Sequence, residues 1–176
     1  MCAGSDFNGV FTSCMCAQCS LYTVHGAHVN LKHCNFNKCH PGAVVSCPGS
    51  VGFFYSCSFQ ACLTAIIIED DAAVFTDACI MHGGTVALCA NAGGSLHCEY
   101  TIMHGGPRHG AGLFGVLVHN ASVCLRRCGI QAFCTALMVR GGCARAEVLD
   151  SYAYTCRRSV AVVQHAQATV WTFEMT

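Results

Sequence analysis

The pentapeptide Ile80-Met81-His82-Gly83-Gly84 recurs unchanged as Ile102-Met103-His104-Gly105-Gly106, displaced by 22 residues. Self-similarity at a fixed period of this length restricts a chain to repeat architectures, in which one short supersecondary unit stacks on the next to bury a shared core. A Cys-x4-Cys pair follows the same rhythm as Cys14/Cys19, Cys34/Cys39 and Cys57/Cys62, with Cys79/Gly84 in the next place and spacings of 20, 23 and 22. A second column, Tyr22, Val44, Ile66 and Leu88, advances by 22, jumps by 28 to Val116, and continues through Met138 to Val160. The six extra residues, Pro107 to Gly112, follow the second pentapeptide and predict one inserted loop. Beyond it Ile130 stands 28 after Ile102, and Cys156 stands 22 after Cys134.

Leucine-rich repeats share this period but need a Leu-x-x-Leu-x-Leu-x-x-Asn string that the chain lacks. Within one repeat, Val29-Asn30-Leu31, Cys34-Asn35-Phe36 and Ala43-Val44-Val45 are short alternating or β-rich runs separated by His, Gly, Pro, Asn and Ser. Every 11-residue window with apolar 3.6-residue periodicity is interrupted by Gly or Pro. Three short strands and three bends per repeat predict an all-β fold: a single-stranded, right-handed parallel β-helix of about seven turns with a period of about 22 residues, one domain over 1–176 with the inserted loop at 107–112.

In such a coil equivalent side chains lie about 4.8 Å apart on successive turns. Like stacks on like in a narrow interior, so Phe53 should lie beside Phe75 and Met81 beside Met103. Gly83 and Gly84 suit corners that need a positive φ. This also accounts for the composition, in which 53% of residues are apolar and only 10% charged.

Seventeen cysteines would suggest a disulfide scaffold in a short secreted chain. The count is odd, and the first residues, Met1 to Asp6, have neither a basic nor an apolar signal region, so most thiols are expected to be reduced, small core residues in a chain that is not secreted. The sequon Asn120-Ala121-Ser122 is then expected to go unused. No run of 18 apolar residues exists, and no membrane association is expected. Nine basic residues balance nine acidic ones without a basic stripe, which argues against nucleic-acid binding.

Cys14-x-Cys16-x2-Cys19 followed by His25 and His28 raises a zinc reading, but Cys14 and Cys19 belong to the repeating columns and the spacing matches no standard finger, so no metal or cofactor is expected. His82 and His104 should sit side by side at a solvated corner, near His109 of the loop. Many β-helices act on polysaccharides through clustered acids. The one acidic cluster here, Glu69-Asp70-Asp71, falls at an expected bend, and no enzymatic activity is expected. Arg126-Arg127, Arg157-Arg158, Arg140 and Arg145 place positive charge late in the chain, on an expected solvated wall. The candidate partner-binding residues are Arg108 and His109, and one end or one wall is expected to be covered by a partner or by a second copy.

The stretch VNLKHCNFNKCHPGAVVSCPGSVGFFYSCSFQACLTAIII, residues 29–68, resembles the central region of the adenovirus large early-region T antigen family and its capsid relative in reptilian adenoviruses. The resemblance spans roughly residues 20 to 165 and rests on the repeat pattern. It implies a viral early protein of the host nucleus and cytoplasm. Such a protein binds and inactivates a host tumour-suppressor transcription factor and presents it, with a second viral protein, to a cullin-type ubiquitin ligase. The capsid branch implies the alternative, a structural trimer; a carbohydrate-active enzyme is the third reading. No individual binding residue carries across.

Overall fold

A computed structural model describes residues 2–3, 8–106 and 112–175, with side chains over 8–106 and 112–171. Every element within them is a strand. All pairings are parallel, and each strand hydrogen-bonds to its equivalents one turn below and above, so the chain is a β-solenoid of about seven turns. Each turn has three walls. A long wall contains Val51–Tyr55, Ala73–Asp77, Ser95–Glu99 and Ser122–Arg126. A short wall contains Asn35–Asn37, Ser58–Gln60, Ile80–His82, Ile102–His104 and Gly129–Gln131. A third wall runs from Leu21–Thr23 and Ala43–Val45 through Thr64–Ile68 and Val86–Asn91 to Phe114–His119, Thr135–Arg140 and Arg158–Val163. Leu88 pairs with Val116, a step of 28, while the long and short walls advance by 27 at this turn, from His97 to Cys124 and from Met103 to Ile130; residues 107–111 of the expected inserted loop lie outside the described residues.

The period thus sets which residues meet, and the core follows from it. Cys16, Phe36, Phe59, Met81, Met103 and Ile130 form one inward column of the short wall. Phe36 and Phe59 stack with centroids 4.6 Å apart and planes within 5°. Burying a side chain of this size is worth about 1.5–3 kcal/mol, before ring stacking adds to it.

Three columns read from the sequence require correction. Ile130 pairs with Met103, 27 residues before it, and not with Ile102, whose partner is Gly129. The inward column of the third wall is Leu21, Ala43, Ile66, Leu88, Val116, Leu137 and Val160. Tyr22, Val44 and Met138 belong instead to the neighbouring column with Ile67, Cys89 and Leu117. The steps are 23 residues from Ala43 to Ile66, 21 from Val116 to Leu137 and 23 from Leu137 to Val160. Cys156 likewise does not stack on Cys134: Gln131 pairs with Tyr154, which puts Cys156 above the buried Phe133.

The corners explain the cysteines. Where the long wall turns into the short wall, His33, Ser56, Ala78, Tyr100 and Arg127 take φ of 54°, 49°, 51°, 46° and 52°. Each is followed by a small donor side chain. Cys34 Sγ donates to Lys32 O (3.4 Å) and Phe11 O (3.6 Å). Cys57 donates to Tyr55 O and Leu31 O, both at 3.5 Å. Cys79 donates to Asp77 O (3.5 Å) and Phe54 O (3.4 Å). In the same column Thr101 Oγ1 donates to Glu99 O and Ser151 Oγ to Leu149 O, both at 2.9 Å. One side chain therefore fills the tapering interior and supplies a proton to carbonyls of its own turn and the turn below, which a buried acceptor needs. Cysteine suits this place because it is small, apolar and still a weak donor.

The next corner requires glycine where its backbone is most crowded. Gly84 has φ 130°, and a β-carbon there would overlap the carbonyl oxygen of Cys62 on the turn below.

Candidate functional site

Strand alternation leaves the outward residues of the long wall in three parallel columns. The central one runs Asn30, Phe53, Phe75, His97, Cys124, Glu147. Phe53 and Phe75 stack with centroids 5.0 Å apart and planes within 13°, and His97 follows 6.1 Å from Phe75 with its ring tilted by 41°. Ring faces cover one another, so edges point outward; Phe53 and Phe75 are 40% and 42% exposed. The column on one side runs Lys32, Tyr55, Asp77, Glu99, Arg126.

Two grooves flank these rings. One of about 430 Å³ is lined by Lys32, Phe53, Tyr55, Phe75, Asp77 and Glu99 among others. The other, of about 600 Å³, continues past Phe75 and His97 over Ser122, Cys124, Arg145 and Glu147 to Thr169 and Trp171. Glu99 Oε1 sits between His97 Nε2 (3.5 Å) and Arg126 Nη1 (3.4 Å). Burial, and next the Glu147 carboxylate, push the Cys124 thiol up, so it is held in its neutral form. Beside the wall Arg127 donates to Tyr100 Oη and lies over the Tyr100 ring at 5.4 Å.

The sequence-selected residues distribute differently. His82 and His104 are stacked on the short wall, with centroids 4.9 Å apart. His104 Nδ1 contacts the Gly105 carbonyl, and exposed Ile80 and Ile102 accompany the pair. Arg108 and His109 lie outside the described residues. Asp70 and Asp71 form a corner with φ of 55° and 59°, and Ser46 Oγ donates to Asp70 Oδ2 at 2.9 Å, so this cluster is a bend as expected. Arg126, Arg127, Arg140, Arg145, Arg157 and Arg158 are all exposed. Among the described residues no three His, Cys, Asp or Glu side chains are placed to hold a metal ion, and none of the described cysteines is disulfide-bonded.

Sequence reasoning paired Phe53 with Phe75 correctly but placed them in the interior; they face outward, because strand alternation gives the inward positions to their neighbours, such as Phe54 and Val74, and the long wall was not singled out. Phe53 and Phe75 are 22 apart, and so are Asp77 and Glu99, which the register pairs across adjacent strands.

Fold and site together define a cysteine-rich parallel β-solenoid with an aromatic, charge-flanked outer wall. The chain matches no protein-family model, no curated protein and no solved structure. No helix of the described residues is long and apolar enough to cross a membrane.

Proposed function

We propose that the chain is a non-enzymatic protein-binding module of the viral early-protein type, whose long wall engages and inactivates a host regulatory protein. The regulatory protein is of the tumour-suppressor transcription factor class that the family resemblance implies, and the module works in the host nucleus and cytoplasm. On the same resemblance it acts as a ubiquitin-ligase substrate adaptor.

The observation that carries the reading is the stacked, outward-facing pair Phe53–Phe75, with the tilted His97 ring beside it, on a ladder of parallel strands. Contiguous exposed apolar surface rimmed by charge is the usual composition of a protein-docking surface. The rim supports a partner with an apolar anchor segment flanked by basic groups opposite Asp77 and Glu99 and by acidic groups opposite Arg145. Because the rings are stacked face to face, a sugar ring has little aromatic face to lie on, which favours a protein partner over a glycan.

The test is titration of the purified tumour-suppressor factor against this chain and two variants. Phe75→Ala is expected to weaken binding at least tenfold, since a central aromatic anchor is worth about 2 kcal/mol or more. Ile80→Ala, on the short wall, is expected to leave it unchanged. Equal affinity of all three proteins, or no binding by any, contradicts the reading.

A specific observation favours a second reading, a structural oligomer. On the last turn Val162, Val163, Val170 and Trp171 are exposed together. A stable trimer in light scattering that persists on dilution would support it.

A further inference from the structure

The corner thiols described above are mostly enclosed and each donates to backbone carbonyls. The first described turn differs. There Cys14, Cys16 and Cys19 line one cavity of about 440 Å³ at the mouth of the solenoid, with Met15, Leu21 and Leu31 among its walls. Cys19 is exposed and Cys16 partly so. The two stand in a Cys-Ala-Gln-Cys stretch that folds round a corner, with Gln18 at φ 54°. Cys16 and Cys19 open onto this one cavity with two residues between them in the chain, whereas Cys14 Sγ is engaged with Thr12 O at 3.6 Å.

We propose that Cys16 and Cys19 are a thiol-disulfide modification site, closed by a disulfide oxidant of the glutathione type. The Cys19 thiolate attacks one sulfur of oxidised glutathione and expels a glutathione thiolate, leaving a mixed disulfide on Cys19. Cys16 then loses its proton to solvent, attacks Cys19 Sγ and expels the second glutathione thiolate. Two protein thiols are oxidised to one disulfide, and one oxidised glutathione is reduced to two thiols.

Exposure decides the order. Cys19 meets the oxidant first, and Cys16 is the neighbour that resolves the adduct. The Cys16 thiol is pushed up to about 11, first by burial and then by Cys19 itself, so it stays protonated and is a poor first target. The remaining columns, such as Cys34, Cys57 and Cys79, are buried beneath later turns and are expected to be spared. Closing so short a ring constrains the unfolded chain little, so the readout is chemical rather than a gain in stability.

The test is incubation of the folded, reduced protein with oxidised glutathione, alkylation of remaining thiols and mapping of linkages by mass spectrometry. A Cys16–Cys19 linkage is expected, with Cys14 still alkylated and two thiols lost from the native thiol count. Cys16→Ser should stop at a glutathione adduct on Cys19, and Cys19→Ser should prevent both products. A persistent glutathione adduct on wild-type Cys19, a linkage that includes Cys14, or no reaction overturns the proposal. The wild-type map decides the matter whether or not either variant folds.

Discussion

At the scale of single residues, cysteine here is a corner piece. Its small size lets the turn close, and its proton adds a second bond to corner carbonyls such as Tyr55 O and Asp77 O, which also accept the backbone N–H of His33 and Ser56 from the turn below. Because Thr101 and Ser151 perform the same donation in the same column, Cys79→Ser is expected to be tolerated far better than Cys79→Ala. The alanine variant removes the thiol's bonds to Phe54 O and Asp77 O, the latter keeping its bond from Ser56 N–H, and should cost about 0.5–1.5 kcal/mol, read as a lower denaturation midpoint. Equal destabilisation by both would show that volume alone matters. The same thiols set the alkaline limit. Burial pushes the Cys62 thiol up from 9.0 to about 11. A folded pKa above the unfolded one means that its stabilising contribution is whole below pH 9.0 and is lost as pH rises through about 11. Melting midpoints should therefore fall between these limits, and fall less steeply in Cys62→Ser. Cys79, beside the Cys57 thiol, and Cys128, hydrogen-bonded to Cys98, are both buried and shifted in the same upward direction. Gly84→Ala, which drives a β-carbon into the Cys62 carbonyl, should lower the melting midpoint at any pH.

At the scale of strands and columns, stability comes from like side chains stacked on successive turns. Phe59 lies against Phe36 and Phe54, with centroids at 4.6 and 6.0 Å, so Phe59→Ala should cost about 3–5 kcal/mol in a denaturation experiment. The repeat and the three walls were legible in the sequence because a period of about 22 recurs in residues of one kind. The register of the third wall was not. In Thr64–Ile68 and Thr135–Arg140 apolar residues occupy both faces: Ile66 and Leu137 point inward, while the adjacent Ile67 and Met138 point outward. Alternation cannot separate such neighbours, so a slip of one residue costs nothing in the sequence pattern. Residue type misled once more at Cys134 and Cys156, because a column that had held cysteine takes the larger Phe133. The candidate wall escaped notice for a related reason. Its members differ in type from turn to turn, passing from Phe75 to His97 to Cys124, and only the register shows them as one column.

At the scale of the whole molecule, the solenoid is a rod whose strands are locked by neighbours except at its two ends. Seven repeats of about 4.8 Å make the long wall about 30 Å tall, enough to hold an extended or helical segment of a partner along the axis. On the proposals made above, the thiol chemistry belongs to Cys16 and Cys19 on the first described turn and the partner to the middle of the long wall. Hydrogen–deuterium exchange of the chain, with and without the purified tumour-suppressor factor, tests this division directly. The account predicts that bound factor slows exchange in Val51–Tyr55, Ala73–Asp77 and Ser95–Glu99 and leaves the short wall unchanged. Protection confined to the short wall, the third wall or the terminal turns, or no protection at saturating factor, would contradict it.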